Sequence, residues 1–339
     1  MILIGSACIF LTSCSSIRFT KKTYPESATF LLCSVRGNNR PFANAERFGF
    51  FSSTLWENYE ANLQKEIDVF GATPGYILWY IQMGEAFPLH IAEHNKALGI
   101  ATVINHDLKA DGFLPERNAD ILNEIIHGKW DSYFRDFAHK ARDLNVDIYY
   151  RFGYEMNGNW FPWSGKPKLY VEAWRHTWKI FKKEKANNVK WVFSPSVVWG
   201  QKTFRDDILP YYPGEQYVNI VALDGYNFGD NYTKYHSWES FYHVYAGSIA
   251  GLMSFDKPMW IAEIGCPSDP RRQKWLRDFL DFFDNNNCFE VFFWFNENKV
   301  GEPNFRIDAD DASLYTFREW AQRINQPDQS TDHVASLSH

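Results

Sequence analysis

The 339-residue sequence predicts a (β/α)8 TIM barrel that forms a single domain over residues 41–325. Eight short apolar runs alternate with longer segments in which apolar residues recur at helical spacing. The runs are apolar at nearly every position, which is typical of parallel strands that are buried on both faces. Because 45% of the residues are hydrophobic and 22% are charged, a core of this size can be filled.

The predicted strands follow one another at intervals that leave room for a helix. They are RFGFF (47–51), YILWYI (76–81), IATVIN (100–105), DIYYRF (147–152), KWVFSP (190–195), NIVALD (219–224), PMWIAE (258–263) and EVFFWF (290–295). The intervening segments with an apolar and a charged face include WENYEANLQKEIDVFG, YFRDFAHKARDLN, YVEAWRHTWKIFKKEKA and QKWLRDFLDFFDNNN. A doubly wound sheet is the structural alternative, but no G-x-G-x-x-G turn follows the first run.

Both ends of the chain differ in composition from the predicted barrel. Residues 1–14, MILIGSACIFLTSC, are uncharged and have the length of a signal peptide. They end in a Leu-Thr-Ser-Cys sequence that resembles a bacterial lipobox, which predicts a lipidated Cys14 and a protein that is secreted or tethered in the cell envelope. An ordinary cleaved signal or a short membrane anchor is the alternative. Residues 15–40 are predicted to be a tether with a short extended segment, and residues 326–339 a disordered tail.

Charge and cysteine content exclude several classes of partner. The formal charge is −6 and no long basic run is present, so nucleic acid is not an expected partner, whereas a neutral polymer would not be repelled. Apart from the leader, Cys33, Cys266 and Cys288 remain, without a C-x-x-C pair, so a zinc site is not expected and one disulfide of open pairing is allowed. We predict no metal and no organic cofactor, and we expect a monomer.

Two glutamates follow predicted strands four and seven. Glu155 lies in RFGYEMNGNWFPW (151–163), and Glu263 ends the seventh run. In a (β/α)8 barrel the carboxyl ends of the strands form the active-site face, so both acids should lie at one mouth. Two carboxylates beside aromatic rings suit glycoside hydrolysis, in which one is a neutral acid and the other an anion. An ion pair between Glu155 and Arg151 is the structural alternative.

Other residues at the same strand ends are candidates for substrate contacts. Aromatic residues form 18% of the chain, and rings near the acids could stack on sugar faces: Trp160, Phe161, Trp163, Tyr226 and Trp294. Packing in the core is the alternative for Tyr226 and Trp294. His106 and Asp107 follow the third run, where either a substrate contact or a surface turn is expected. Asp224 is expected to be a structural acid.

Five ordered blocks of the sequence resemble glycoside hydrolase family 26, from the clan of retaining (β/α)8 glycosidases. The resemblance covers roughly residues 47–322. They are GKWDSYFRDFAHKARDLNVDIYYRFGYEMNGNWFPW, AWRHTWKIFKKEKANNVKWVFSPS, YYPGEQYVNIVALDGYNFG, KPMWIAEIG, and VFFWFN with the later NFRID.

The resemblance implies that Glu155 is the acid/base and Glu263 the nucleophile. Tyr226 resembles the tyrosine that touches the nucleophile, and Trp294 resembles the tryptophan beneath the sugar at the cleavage subsite. The complete set of predicted substrate-binding residues is Arg151, Tyr154, Trp160, Trp163, Tyr226, Trp294 and His106. A retaining mechanism requires the two carboxyl groups to lie about 5–5.5 Å apart, and a separation above about 9 Å would refute it.

One departure from the family pattern concerns the substrate. The family places His immediately before the acid/base, where this chain has Tyr154. The change puts mannose recognition in question more than catalysis. A β-linked polysaccharide is the expected substrate, and endo-cleavage of β-1,4-mannan is the first expectation. Mixed-linkage β-1,3-1,4-glucan, β-1,3-xylan and a bacterial exopolysaccharide stay open, as does a non-catalytic polysaccharide-binding barrel.

Overall fold

Eight parallel strands close into a barrel in the order β1 to β8 in the computed structural model of the protein. The structure describes residues 44–110, 120–200, 202–230, 232–233, 236–286 and 288–323. The strands are β1 Phe48–Phe51, β2 Tyr76–Gln82, β3 Ala101–Asp107, β4 Ile148–Phe152, β5 Val189–Phe193, β6 Ile220–Tyr226, β7 Met259–Gly265 and β8 Val291–Phe295. The predicted TIM barrel is confirmed, and each predicted strand boundary lies within two residues of the observed one.

Helices connect the strands on the outside of the barrel. The α-helices are α1 Tyr59–Phe70, α2 Leu89–Leu98, α3 Ile121–Ile126, α4 Asp131–Leu144, α5 Pro167–Lys183, α6 Phe204–Asp207, α7 Phe241–Met253, α8 Arg272–Asn285 and α9 Asp311–Ala321. Short 3-10 helices cover Asn44–Arg47, Ser53–Trp56, Leu209–Tyr211, Glu215–Tyr217 and Ile307–Ala309. The four predicted helical segments correspond to α1, α4, α5 and α8.

Local capping residues explain where helix α1 begins and ends. The Asn58 side chain accepts a hydrogen bond from the backbone N–H of Ala61, which satisfies a donor in the first turn. The helix ends at Gly71, whose φ of 74° is a left-handed conformation that glycine adopts without steric cost.

Alternate residues of each strand point into the barrel or outward to the helices. Four rings fill the lower interior and pack on one another with centroid separations of 4.8–5.8 Å, and we call them the ring plug: Tyr76, Tyr149, Trp260 and Phe293. The intervening positions, such as Phe292, pack against the helices in a second and larger cluster. The inward positions above the ring plug therefore form the floor of the barrel mouth.

An irregularity in β7 interrupts this alternation just before the mouth. Leu223 of β6 pairs with Ile261, but the next residue, Asp224, pairs with Glu263. Ala262 is the extra residue, and it packs inside the barrel with Trp260. Such a bulge re-aims the side chains that follow it. Glu263 therefore points into the barrel, although strict alternation after Ala262 would turn it outward.

Several predictions concern residues beyond the described ranges. The leader with Cys14, the tether of residues 15–40 with Cys33, and the tail of residues 326–339 lie outside the described residues and stay predictions. Cys266 is a free buried thiol, whereas Cys288 is disulfide-bonded, so Cys266 is excluded from the disulfide. Among the helices that the structure describes, none combines the length and apolar character needed to cross a membrane.

Candidate active site

A cleft of about 1400 Å³ opens at the carboxyl ends of the strands, and both predicted glutamates line it. Its volume exceeds the roughly 300–1,000 Å³ that is usual for small-molecule pockets, which suits a segment of a polymer. The aromatic residues that line it are Phe51, Trp56, Trp79, Tyr80, Tyr154, Trp160, Phe161, Trp199, Tyr226, Phe228, Tyr232, Phe295 and Phe305. The loops after β6 and β8 contribute Phe228, Tyr232 and Phe305 to these rings.

Glu263 is held at the floor of the cleft by four hydrogen-bond donors. Its Oε1 accepts from the Tyr80 hydroxyl at 2.6 Å, from Arg151 Nη1 at 2.8 Å and from Asn105 Nδ2 at 3.2 Å. Its Oε2 accepts from the hydroxyl of Tyr226. Four donors, one of them a guanidinium, bind this carboxylate and fix its orientation.

Arg151 joins the two acids at the ends of β6 and β7. Its Nη2 lies 2.5 Å from Asp224 Oδ2, and its Nη1 lies 2.8 Å from Glu263 Oε1. Arg151 and Asp224 are completely buried, so each requires the other for charge compensation. The Ser194 hydroxyl lies between them and contacts both. Asp224 is thus placed to hold Arg151, in agreement with the structural role expected of it.

Glu155 occupies an unusual backbone conformation in the loop after β4. Its φ is +50°, a region that residues other than glycine rarely adopt. Its N–H donates to the carbonyl oxygen of Ser194 at 2.8 Å, and its carbonyl accepts from the N–H of Gly158 at 3.0 Å. Strained backbone of this kind persists where the surroundings fix it and is concentrated at functional sites. The half-buried side chain is thereby directed into the cleft.

The surroundings of Glu155 favour its neutral form near neutral pH. Burial and then the negative charge of Glu263 raise the pKa of Glu155 to about 8. The indole N–H of Trp160, which donates to Glu155 Oε2 at 2.7 Å, opposes this rise in pKa, as do the positive charges of Arg151 and Lys299. A protonated Glu155 thus faces the carboxyl group of Glu263, an arrangement that suits an acid beside a nucleophile.

The carboxylates lie close together. One oxygen from each of Glu155, Asp224 and Glu263 lies within 4.8 Å of the others. Three acids at this spacing could in principle surround a cation, but the guanidinium of Arg151 already supplies positive charge between Asp224 and Glu263. The arrangement therefore has its own charge compensation.

Five of the predicted site residues line the cleft, namely Tyr154, Glu155, Trp160, Tyr226 and Glu263. Arg151 lies beneath them and touches Glu263. The hydroxyl of Tyr154 donates to Asp107 Oδ1 at 2.6 Å, so Asp107 belongs to the cleft and not to a surface turn.

The prediction that Trp294 contacts substrate is wrong. Trp294 is completely buried, its indole donates to the carbonyl of Phe305 at 2.9 Å, and it packs among outward-facing core residues. Its neighbour Phe295 faces the interior and lines the cleft instead. The two residues exchange roles because adjacent side chains of a strand point to opposite faces.

His106 is misplaced in the prediction for the same reason. It faces outward from β3 and stacks on Phe137 with ring centroids 5.8 Å apart. Its Nδ1 forms a hydrogen bond with the Tyr150 hydroxyl at 2.5 Å. Burial lowers the pKa of His106 to about 3, so the ring is neutral. Its inward neighbours, Asn105 and Asp107, are the residues of β3 that reach the site.

Trp163 is also absent from the cleft lining. It is completely buried, and its indole donates to the carbonyl of Tyr154 at 2.8 Å. It also stacks on Phe161 with centroids 4.4 Å apart. Trp163 therefore anchors the backbone immediately before Glu155 and does not form a platform for sugar.

Sequence reasoning missed several residues of the site, among them Tyr80, Asn105 and Phe295. Tyr80 and Asn105 contact Glu263, and Phe295 lines the cleft. Tyr80 and Asn105 each stand two residues before the end of their strand, and Phe295 is the last residue of β8, all on the inward face. Counting alternate positions back from Asp107 would have found Asn105, and counting forward from Phe293 would have found Phe295.

The closed barrel and the pair of carboxylates at its mouth define a TIM-barrel protein with the site of a two-glutamate hydrolase. The sequence profile of glycosyl hydrolase family 26 matches residues 116–285, which is half of the chain. The protein belongs to glycosyl hydrolase family 26.

Individual relatives agree with this membership. Endoglucanase H of Acetivibrio thermocellus is 31% identical over 206 residues, which cover 58% of this chain and 22% of that protein. Mannan endo-1,4-β-mannosidase A and B of Caldalkalibacillus mannanilyticus is 36% identical over 142 residues, 39% of this chain and 24% of that protein. The aligned region thus spans less than a quarter of either relative.

Solved structures share the fold along most of the chain. A family 26 β-mannanase from Bacteroides ovatus superposes with a TM-score of 0.61 at 17% identity, covering 88% of this chain and 94% of that one. The catalytic domain of an endo-β-1,4-mannanase from Bacillus sp. JAMB-750 gives a TM-score of 0.62 at 16% identity, covering 82% and 85%.

Proposed function

We propose that the protein is a retaining glycoside hydrolase that cleaves β-linked polysaccharide. The observation that carries the proposal is the close approach of Glu155 and Glu263, whose nearest carboxylate oxygens lie within 4.8 Å. Retaining enzymes hold their two carboxyl groups about 5–5.5 Å apart, whereas inverting enzymes need about 6.5–9.5 Å to admit a water. The close spacing supports direct attack by Glu263 over attack by a water held between the two acids.

In the first step, an oxygen of Glu263 forms a bond to the anomeric carbon as the glycosidic C–O bond breaks. Three donors hold Oε1, while Oε2 bonds to Tyr226, so we assign the attack to the less encumbered Oε2. Protonated Glu155 gives its proton to the departing oxygen, which leaves as an alcohol. The product of this step is a glycosyl ester of Glu263 and an ionised Glu155.

In the second step, Glu155 acts as the base. Esterified Glu263 carries no negative charge, so one of the two main causes of the raised pKa of Glu155 is gone. The carboxylate of Glu155 accepts a proton from water as the water oxygen attacks the anomeric carbon. The ester bond breaks, Glu263 returns as a carboxylate, and the sugar keeps its original anomeric configuration.

Rings on opposite sides of the acids support cleavage within a chain. Trp56 follows β1 and Trp199 follows β5, and these strands lie across the barrel from each other. Both residues line the cleft, so sugar units on each side of the cleaved bond have an aromatic surface to contact. We therefore assign endo-action to the enzyme.

β-1,4-Mannan is the first candidate substrate, because relatives and fold neighbours are named as mannan-cleaving enzymes. Mixed-linkage β-glucan is the second candidate. It is favoured by the endoglucanase relative, whose alignment covers 58% of this chain against 39% for the first mannosidase.

The test is reducing-end release by the purified protein from galactomannan, glucomannan, mixed-linkage β-glucan and β-1,3-xylan. Glu155→Ala is expected to lose about 10²–10⁴-fold in kcat, the usual contribution of a general acid. Glu263→Ala should be inactive on every polymer. Proton NMR of the first product formed should show the β-anomer.

Two outcomes would refute the proposal. An α-anomer as first product would rule out the retaining mechanism. A wild-type protein that binds these polymers without cleaving any of them would favour the non-catalytic barrel. Asp136→Ala is the matched control, because Asp136 is an exposed acid on α4 that pairs with Lys140.

We further propose that the enzyme works in the cell envelope, tethered by lipid on Cys14. The lipobox-like Leu-Thr-Ser-Cys sequence supports a lipid anchor, and the disulfide bond of Cys288 suits an oxidising compartment. Mass spectrometry of the mature protein from a bacterial membrane fraction should show a diacylglyceryl group on Cys14. A Cys14→Ser protein that stays in the membrane fraction would contradict the tether.

A further inference from the structure

Three buried polar side chains form a row along one wall of the cleft, which we call the Asp107 row. The Tyr154 hydroxyl donates to Asp107 Oδ1 at 2.6 Å, and Lys109 Nζ lies 2.6 Å from Asp107 Oδ2. Asp107 and Tyr154 are each 6% exposed and Lys109 is 3% exposed, yet all three line the cleft. The row is therefore part of the wall against which a bound polymer would lie.

The central carboxylate retains capacity to accept further hydrogen bonds. A carboxylate offers about four acceptor positions, two on each oxygen. Tyr154 uses one position on Oδ1 and Lys109 uses one on Oδ2. Each oxygen of Asp107 thus keeps an acceptor position, and the carboxylate faces the space in which sugar hydroxyls would lie.

Tyr154 is committed to supporting Asp107. Its ring packs edge-on against Tyr80 with centroids 5.6 Å apart, and the Arg151 guanidinium lies 5.1 Å from its centre. These contacts fix the ring, and its hydroxyl proton points at Asp107. The residue immediately before Glu155 is therefore a positioning residue, and the carboxylate that it orients is left to contact the sugar.

We propose that Asp107 is a specificity-determining residue that accepts hydrogen bonds from two hydroxyls of one sugar unit in the cleft. Lys109 compensates its charge and Tyr154 fixes its orientation. The inference rests on the proposed glycoside hydrolase function. It defines the substrate class at this subsite as a neutral sugar with free hydroxyl groups.

Two kinds of modified sugar are rejected on this basis. An O-acetylated unit lacks the hydroxyl group that would donate a hydrogen bond to Asp107, and a site built to bond a hydroxyl discriminates strongly against its absence. A uronic acid would bring a second negative charge next to Asp107, and its carboxylate would be repelled. The neutral, unacetylated polymer is therefore expected to be the better substrate.

The experiment compares kcat and KM of wild type, Asp107→Asn and Tyr154→Phe. The probes are deacetylated glucomannan and mixed-linkage β-glucan, each paired with a chemically O-acetylated sample of the same polymer. Asparagine keeps the size of the side chain but removes one acceptor oxygen and the charge. Lys140→Met is the matched control, because Lys140 pairs with Asp136 at 2.9 Å on the surface of α4.

Asp107→Asn is expected to raise KM for the unacetylated polymer by about 10- to 100-fold, from the loss of one or two hydrogen bonds to a charged group. Its kcat should stay within about threefold of wild type, since Asp107 does not contact the two catalytic glutamates. For this variant, the ratio of kcat/KM on the unacetylated polymer to kcat/KM on the acetylated polymer should fall towards one. Tyr154→Phe should raise KM less, because Asp107 keeps Lys109 as a partner.

The outcomes separate this inference from the proposed function. Suppose that wild type cleaves a probe and that Asp107→Asn keeps both the wild-type KM and the preference against acetyl groups. Asp107 then does not bind sugar hydroxyls, and the inference fails while the proposed function stands. A lower kcat at unchanged KM would assign Asp107 a purely structural role and also overturn it. If wild type cleaves neither probe nor any polymer of the wider panel, the proposed function fails and the inference falls with it. If thermal melting shows that Asp107→Asn does not fold, Tyr154→Phe tests the inference by the same two measurements, KM and the preference for the unacetylated polymer.

Discussion

Replacing Trp160 with phenylalanine is expected to move the alkaline limit of activity to higher pH. Glu155 must carry a proton to act as the acid, so kcat/KM falls as the pH rises through its pKa of about 8. The indole N–H of Trp160 donates to Glu155 Oε2 at 2.7 Å and stabilises the ionised carboxylate. Without this donor the ionised form is less stable, the pKa of Glu155 rises, and the protonated acid persists to higher pH.

The size of the shift follows from the geometry and exposure of this contact. A hydrogen bond to a charged group contributes about 1.5–3 kcal/mol when it is shielded from water. Trp160 is 48% exposed, so water competes for the carboxylate. We therefore take about 1 kcal/mol, which corresponds to about 0.7 pH unit at about 1.36 kcal/mol per unit.

The assay is kcat/KM on the best polymer substrate between pH 5 and pH 10. Trp56→Phe is the control, because Trp56 also lines the cleft and is 56% exposed but is not the residue that donates a hydrogen bond to Glu155. It should weaken binding and leave the alkaline limb in place. An alkaline limb that stays fixed in Trp160→Phe, moves to lower pH, or shifts equally in both variants would refute the reasoning.

Three further predictions concern the support of the site. Asp224→Asn should lower the free energy of unfolding by about 2–4 kcal/mol in urea titrations, because buried Arg151 loses an ion-pair partner; a loss below about 0.5 kcal/mol would show that the pair is dispensable. Trp294→Phe should lower stability by about 1–2 kcal/mol with KM unchanged, whereas Phe295→Ala should raise KM; the reverse pattern would return Trp294 to the subsite. Gly153→Ala should cost about 1–3 kcal/mol and reduce kcat, since Gly153 has a φ of +54° just before the acid; a wild-type melting curve would contradict this.

The strands could be predicted because their signal is local. Each run is short, apolar and followed by a helical segment, and eight repeats of this unit leave few alternatives to a barrel. Because the strands are apolar throughout, the sequence does not show which face of a strand each side chain occupies. When a strand is apolar on both faces, its composition does not reveal which residues point inward. The sequence therefore predicts Trp294 and His106 in the cleft, whereas Phe295 lines the cleft and Asn105 contacts Glu263.

The contacts around the nucleophile depend on long-range geometry. Tyr80 and Asn105 lie 183 and 158 residues from Glu263 in sequence, and only closure of the barrel brings them together. The bulge at Ala262 also leaves no trace in composition, yet it turns Glu263 into the mouth. The position of both glutamates at the mouth could be predicted from the strand ends, whereas the contacts of Tyr80 and Asn105 with Glu263 could not.

The ring plug has a consequence for how a polymer enters and leaves. Tyr76, Tyr149, Trp260 and Phe293 fill the interior beneath Glu263, so no passage leads from the mouth to the opposite end of the barrel. Under the proposed function, a polysaccharide would lie across the mouth and would not be threaded through the molecule. Both fragments would then depart from the face at which the chain arrived, and any accessible stretch of a long polymer could be engaged from its side without a free end.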